Sequence, residues 1–172
     1  MTVFGTLHAV PDSLQTNKIL VAAAFGNREL KVEVPKDVES CVFGCPLSRL
    51  PCFESSSGQK LCDANAISCF LCDALNNKSS QEQAEILQWI GIADNDFVPH
   101  VLAWVLPSLS AMAFNKTAVE KAKHDLFERL NALDKYLLSQ TFLVGERFSV
   151  ADIILACDLL PAYQHVSVQC CT

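Results

Sequence analysis

The chain has 172 residues, is 51% hydrophobic and carries a net charge of −6 at pH 7. That apolar content supports a packed core and excludes a disordered chain. The acidic balance, with no run of five basic residues, excludes a phosphate-tracking nucleic-acid surface. No apolar run is long enough to span a bilayer and no basic-then-apolar leader opens the sequence, so a soluble cytoplasmic protein is expected.

Thr2-Val3-Phe4-Gly5-Thr6-Leu7 is short, apolar and β-prone, which predicts a buried strand. Pro11-Asp12-Ser13 then makes a turn ending in an N-cap residue. Leu14 to Phe25 follows with Ile19, Leu20, Ala23 and Ala24 at helical spacing, and Gly26-Asn27 stops it. Leu30 to Val34 alternates apolar and polar and predicts a second strand, completing a βαβ unit. The stretch from Pro35 to Pro46 reads as irregular. Leu50 to Glu54 is a third strand with a proline near its start, Ser55 to Gly58 a turn, and Gln59 to Cys62 the returning strand of a hairpin. Asp63-Ala64-Asn65 opens a helix that continues through Ile67, Phe70, Leu71 and Leu75. Asn76 to Ser80 is the clearest linker, so the organisation expected is one subdomain over 1–76 and a second over 81–172.

The second part reads as helical throughout. Ser80 and Gln83 have capping-box spacing. Ile86, Ile90, Ala93, Phe97, Val101, Val105 and Leu109 continue one helical stripe, which Pro99 and Pro107 should kink or end. Thr117 and Glu120 suggest another box, followed by a stripe of Val119, Ala122, Leu126, Leu130, Leu133 and Leu137. The charges between them read as the solvated side. Gly145 supplies a turn, and Ser149 with Asp152 forms a box variant that starts the last helix. Phe148 and Ile153 have the spacing of a hydrophobic staple across that cap.

Nine cysteines are present, and without a leader they read as thiols. Cys69-Phe70-Leu71-Cys72 is a C-x-x-C, but no second ligand pair follows it, and one helical turn in an apolar helix makes both small hydrophobes. No metal site is expected. Asp94 and Asp96 fall on different helix faces and do not form a catalytic pair. Trp89 and Trp104 read as core or dimer-face anchors. His8 reads as a strand-end histidine with no evident carboxylate.

This order of elements and three local motifs resemble the glutathione transferase superfamily. The carriers are Pro46-x-x-Arg49-Leu50-Pro51-x-Phe53-Glu54, Asp63-Ala64-Asn65-Ala66-Ile67, and the capping stretch from Phe142 to Ile153. The resemblance implies a thioredoxin-like βαβ-ββα subdomain followed by a helical subdomain, with a cis Leu50–Pro51 peptide. It also implies a glutathione pocket at Arg49, Leu50, Pro51, Asp63 and Ala64. Active members carry a serine where this chain has Ala64, and an activating hydroxyl or thiol after the first strand. Here Ser13 is the one hydroxyl at hand, a weak catalytic candidate whose alternative role is helix N-cap.

Within the superfamily, Gln88-Trp89, Ala93-Asp94-x-Asp96-x-Val98-Pro99, Trp104-Val105-x-Pro107 and Phe142 to Arg147 resemble the elongation factor 1-gamma family. The appended domain of valyl-tRNA synthetase is similar in a looser way. The resemblance implies a non-catalytic protein-interaction module of translation elongation, without a cofactor and with glutathione at most a weak ligand. Its partners would be other elongation factor 1 subunits or an aminoacyl-tRNA synthetase, in a homo- or hetero-oligomer, without nucleic acid or membrane. The alternative is an active transferase that conjugates glutathione to electrophiles. Family members also continue beyond the helix that Ser149 starts, so Ile153, Ile154, Cys157 and Leu160 are not all expected to find cover within this chain.

Overall fold

The computed structural model describes residues 3–35 and 49–170, with side chains in the last helix as far as Val166. The irregular stretch expected from Pro35 lies outside the described residues from residue 36 onward, as does Pro46. The chain divides into two compact units, Met1–Asn77 and Lys78–Thr172.

In the first unit β1 (Gly5–His8), α1 (Leu14–Phe25) and β2 (Leu30–Glu33) form the βαβ, and β3 (Cys52–Ser55), β4 (Lys60–Cys62) and α2 (Ala64–Leu71) follow. The sheet order is β2-β1-β3-β4. β1 runs parallel to β2, with Gly5 opposite Leu30, and antiparallel to β3, with Leu7 opposite Phe53. This alternation puts Leu7 and Phe53 on one face, where Ile19, Ala23, Ile67 and Leu71 of the two helices cover them. Phe4, Phe53 and Phe70 form an aromatic group with centroids about 6 Å apart. Burying each such side chain contributes roughly 1.5–3 kcal/mol. Gly26 allows α1 to end against α2, since a Cβ there would lie 2.1 Å from the Leu71 carbonyl oxygen. The first strand begins at Gly5 rather than at Thr2, and α2 stops at Leu71 rather than running to Leu75. Cys72 is its C-cap, and Asp73 then takes a positive φ of 49° that no helix continues.

The second unit holds α3 (Ser80–Ile92), a π-helical turn (Ala93–Phe97), α4 (Val98–Ser108), α5 (Lys116–Leu137) and α6 (Val150–Cys170). The predicted stripe is buried at Ile86, Ile90, Ala93, Phe97, Val101 and Val105, and it fails at Leu109, which is 66% exposed past the end of α4. The π turn is the local answer to Pro99, which has no amide to give and sits in the first turn of α4. The Val98 amide reaches back to the Ala93 carbonyl, and the Asn95 side-chain amide donates to the Gly91 carbonyl at 2.7 Å. Pro107 lies inside the last turn of α4, and Leu109 caps the helix.

Two caps differ from expectation. The box of α3 is Ser79 with Glu82, one residue before Ser80 and Gln83. Glu82 accepts the Ser79 amide at 2.9 Å, and a carboxylate is the stronger acceptor for that amide than the neutral Gln83 amide. α5 is capped by Asn115, whose side chain accepts from the Ala118 amide at 3.1 Å, so Thr117 lies in the first turn and Glu120 beyond it. Asn is the better N-cap residue, and it wins the competition two positions upstream.

Candidate functional site

The residues expected to line a glutathione pocket meet where β3 starts and β4 ends. The Leu50–Pro51 peptide is cis. Pro51 is buried, Leu50 half-buried and Arg49 exposed. Asp63 follows β4 directly and is the N-cap of α2, with φ 110° and ψ 125°. A non-glycine residue held there costs of order 1–3 kcal/mol, and such geometry persists only where its surroundings enforce it. Here the enforcement is local: Asp63 Oδ1 accepts from the Asn65 and Ala66 amides, both at 3.0 Å. Its other oxygen lies 3.4 Å from an Arg49 guanidinium nitrogen. Oδ1 therefore has both lone pairs committed, and an incoming ammonium group would have to share Oδ2 with Arg49. Ala64 is buried at the first position of α2 and brings no hydroxyl.

Ser13 stands at the N-cap of α1, where its Oγ accepts from the Thr16 amide at 3.1 Å. The Thr16 hydroxyl donates its single proton to the Val10 carbonyl at 2.6 Å. The 2.8 Å bond between the two hydroxyls must then run from Ser13 to Thr16. The Ser13 proton is used within the turn.

Two contacts here were not foreseen from the sequence. Lys18, on α1, is buried, and its ammonium donates to Asn65 Oδ1 at 3.1 Å, tying α1 to the residue that follows Ala64. Asn65 is the variable position of the Asp63-to-Ile67 motif, and its nearness to Asp63 was the one available hint. His8, read as lacking a carboxylate, has Nδ1 3.7 Å from Glu33 Oε2, because the parallel register sets His8 beside Glu33. The Lys31 ammonium, 2.6 Å from Glu33, holds that carboxyl below the usual carboxylate range. Burial pushes the Cys69 thiol up to about 12 and the Cys72 thiol up to about 11, so both stay protonated and weakly nucleophilic at neutral pH. Among the described residues no group of three or more His, Cys, Asp or Glu is placed to hold a metal.

In the second unit Asp152 organises the start of α6. Its Oδ2 accepts the Ser149 amide at 2.8 Å and the Ser149 hydroxyl at 2.9 Å. Oδ1 takes the Leu143 amide at 2.9 Å, and the Tyr136 phenol on α5 donates to the Leu143 carbonyl at 2.9 Å. The box is thus part of a clamp that also holds the Phe142–Arg147 turn, where Gly145 has φ 62°. Phe148 is exposed and meets Phe142 edge-on, while Ile153 is buried. Trp104 is buried among Phe127, His165 and the Lys123 ammonium, and Trp89 packs on Tyr136 with centroids 5.0 Å apart. Asp96 lies 3.8 Å from Arg129. Ile153 and Ile154 are buried, Cys157 is half-buried and Leu160 is exposed, so the four are not all covered, as expected. Within the unit, α3, the π-helical turn and α4 pack against α6.

Residues 97–169 match the glutathione S-transferase C-terminal domain family. Elongation factor 1-gamma of Artemia salina is 38% identical over 176 residues, covering 95% of this chain and 40% of that protein. The human elongation factor 1-gamma is 34% identical over 175 residues, covering 94% and 39%. In structure the chain is similar to the GST-like domain of elongation factor 1-gamma from Saccharomyces cerevisiae, with a TM-score of 0.74 at 22% identity over 97% of this chain and 86% of that one. It is also similar to glutathione S-transferase I bound with lactoylglutathione, with a TM-score of 0.81 at 16% identity over 96% and 87%.

This chain has the fold of the glutathione transferases.

In sequence it is similar to elongation factor 1-gamma proteins, of which it spans about two fifths of the length. The four-stranded mixed sheet and the helical unit correspond to the thioredoxin-like and C-terminal parts of that fold. No helix among the described residues is long and apolar enough to cross a membrane.

Proposed function

We propose that this chain is a glutathione transferase-like interaction module of the elongation factor 1 complex that does not catalyse conjugation. The observation that carries the reading is the Ser13 hydroxyl, whose proton is committed to Thr16. A transferase must lower the pKa of the glutathione thiol with a donor aimed at sulfur, because the thiolate is the nucleophile. Ala64 adds to this by removing a hydroxyl from the pocket, and Arg49 competes for the remaining face of Asp63. Glutathione is at most a weak ligand. The partners are other elongation factor 1 subunits, or an aminoacyl-tRNA synthetase, met in the cytoplasm. The relatives' identity supports this assignment.

Two measurements test it. The chain is immobilised and cytosol passed over it, with retained proteins identified by mass spectrometry. Recovery of elongation factor 1 subunits is expected; recovery of synthetases alone would move the module to a synthetase complex. In parallel, conjugation of glutathione to 1-chloro-2,4-dinitrobenzene is followed. Turnover at the rates of active transferases would overturn the non-catalytic reading whatever the chain captures.

A further inference from the structure

Cys52 and Cys62 stand opposite each other in register across the β3–β4 hairpin. The Ser55 amide donates to the Gln59 carbonyl at 2.8 Å, which makes 55 and 59 a hydrogen-bonded pair. Antiparallel pairs alternate, so 53 and 61 are hydrogen-bonded and 52 and 62 are not. A non-hydrogen-bonded pair brings its Cα atoms to about 4.5 Å, with both side chains on one face. That separation lies inside the window of about 4.4–6.8 Å that a disulfide requires. Both residues are thiols. Cys52 is buried, with its Sγ donating to the Arg49 carbonyl at 3.1 Å, whereas Cys62 is half-buried. Cys52 follows Pro51 and Cys62 precedes Asp63, so the pair joins the two strand ends that carry the pocket residues.

We propose that Cys52 and Cys62 form a reversible redox clasp, closed by a low-molecular-weight disulfide of the glutathione type. Cys62, the more accessible, loses its proton and attacks one sulfur of that disulfide. The S–S bond of the oxidant breaks, and one thiolate leaves with the proton. Cys52 then turns from the Arg49 carbonyl, loses its proton, and attacks the Cys62 sulfur of the mixed disulfide. The second small thiolate leaves with that proton. Two protein thiols are oxidised to one disulfide, and one oxidant disulfide is reduced to two thiols. Closing the clasp removes the donor from the Arg49 carbonyl and locks the Pro51 and Asp63 strand ends together. Cys52, Cys62, Cys69, Cys72 and Cys157 are all free thiols, and a cysteine pair in such a setting is more often regulatory than structural. The thiols of Cys69 and Cys72 lie nearby in sequence, but burial holds both protonated.

The test treats the full chain with oxidised glutathione, blocks remaining thiols by alkylation and digests with trypsin without reduction. Cleavage after Arg49, Lys60 and Lys78 yields peptides 50–60 and 61–78. The two are expected as one linked species, lighter than their sum by two hydrogen atoms, with fragmentation placing the bond at Cys62. Excess reduced glutathione should separate them again. In Cys52→Ser, Cys62 should retain one glutathione as a stable mixed disulfide; in Cys62→Ser, Cys52 should stay unmodified. A bond placed on Cys69 or Cys72, a glutathionylated Cys62 as end product in the unaltered chain, or no oxidation at either position would overturn the proposal.

Discussion

Ser13 shows how a single hydroxyl is assigned a role by counting protons. Its oxygen accepts the Thr16 amide and its proton goes to the Thr16 hydroxyl, so the residue acts as a cap. Ser13→Ala is therefore expected to destabilise the fold by about 0.5–2 kcal/mol while leaving any residual conjugation rate unchanged. A denaturant melt and a conjugation assay on the same variant check both halves, and a lost rate at unchanged stability would make Ser13 an activating group. Ala64 is the converse case, a missing hydroxyl. Ala64→Ser should tighten glutathione binding on the order of tenfold to a hundredfold, the equivalent of one charge-assisted hydrogen bond. Calorimetric titration of both chains decides it; equal affinities would mean that glutathione does not use this pocket.

At the scale of the element, the helix starts carry more than propensity. Ser149→Ala should cost about 0.5–2 kcal/mol. Asp152→Ala should cost more, because the amide of buried Leu143 also loses its acceptor, a further penalty of roughly 1–3 kcal/mol. The double variant should be less destabilised than the sum, since both side chains serve one motif. Chemical denaturation of the four proteins closes that cycle, and equal single losses would place Leu143 outside the clamp. The α3 box adds a pH dependence. The Ser79 backbone amide, then its hydroxyl, hold the Glu82 carboxyl below its ordinary range. A depressed folded-state value means stability that is present above the unfolded carboxylate pKa and is lost as pH falls through the lower, folded one. Glu82→Gln should flatten that acid limb. A melting temperature that falls below pH 5 with the same slope in both chains would show that other carboxylates set it.

For the whole molecule, the exposed apolar residues are not those that hold the fold. Leu109, Met112 and Phe114 stand 54–66% exposed in the stretch between α4 and α5, which carries no charge from Ser108 to Asn115. Replacing all three with serine should leave the melting temperature nearly unchanged, because surface substitutions usually stay within about 0.5 kcal/mol each. Binding of a hydrophobic dye should fall, since a contiguous apolar patch is what such a dye reads. A large drop in stability would show instead that the stretch packs on the body of its unit.

The sequence by itself determined the order of elements, because period-2 and period-3.6 patterns, Gly26, the Asn76–Ser80 linker and the strand-leading proline are local signals. It placed Ala64 beside Asp63, since those two are written next to one another, whereas bringing Pro51 to them took the β3–β4 pairing. Cap choice was less legible: Ser79 and Ser80, or Asn115 and Thr117, compete within two residues, and the geometry of the preceding turn decides. What only the tertiary structure decided were pairings between distant stretches. Lys18 with Asn65, His8 with Glu33, Asp152 with Leu143, and Cys52 opposite Cys62 all depend on register or on helix docking. A side chain's chemistry is fixed by its type, but its partner is fixed by where the rest of the chain brings another group within about 3 Å, the hydrogen-bonding distance.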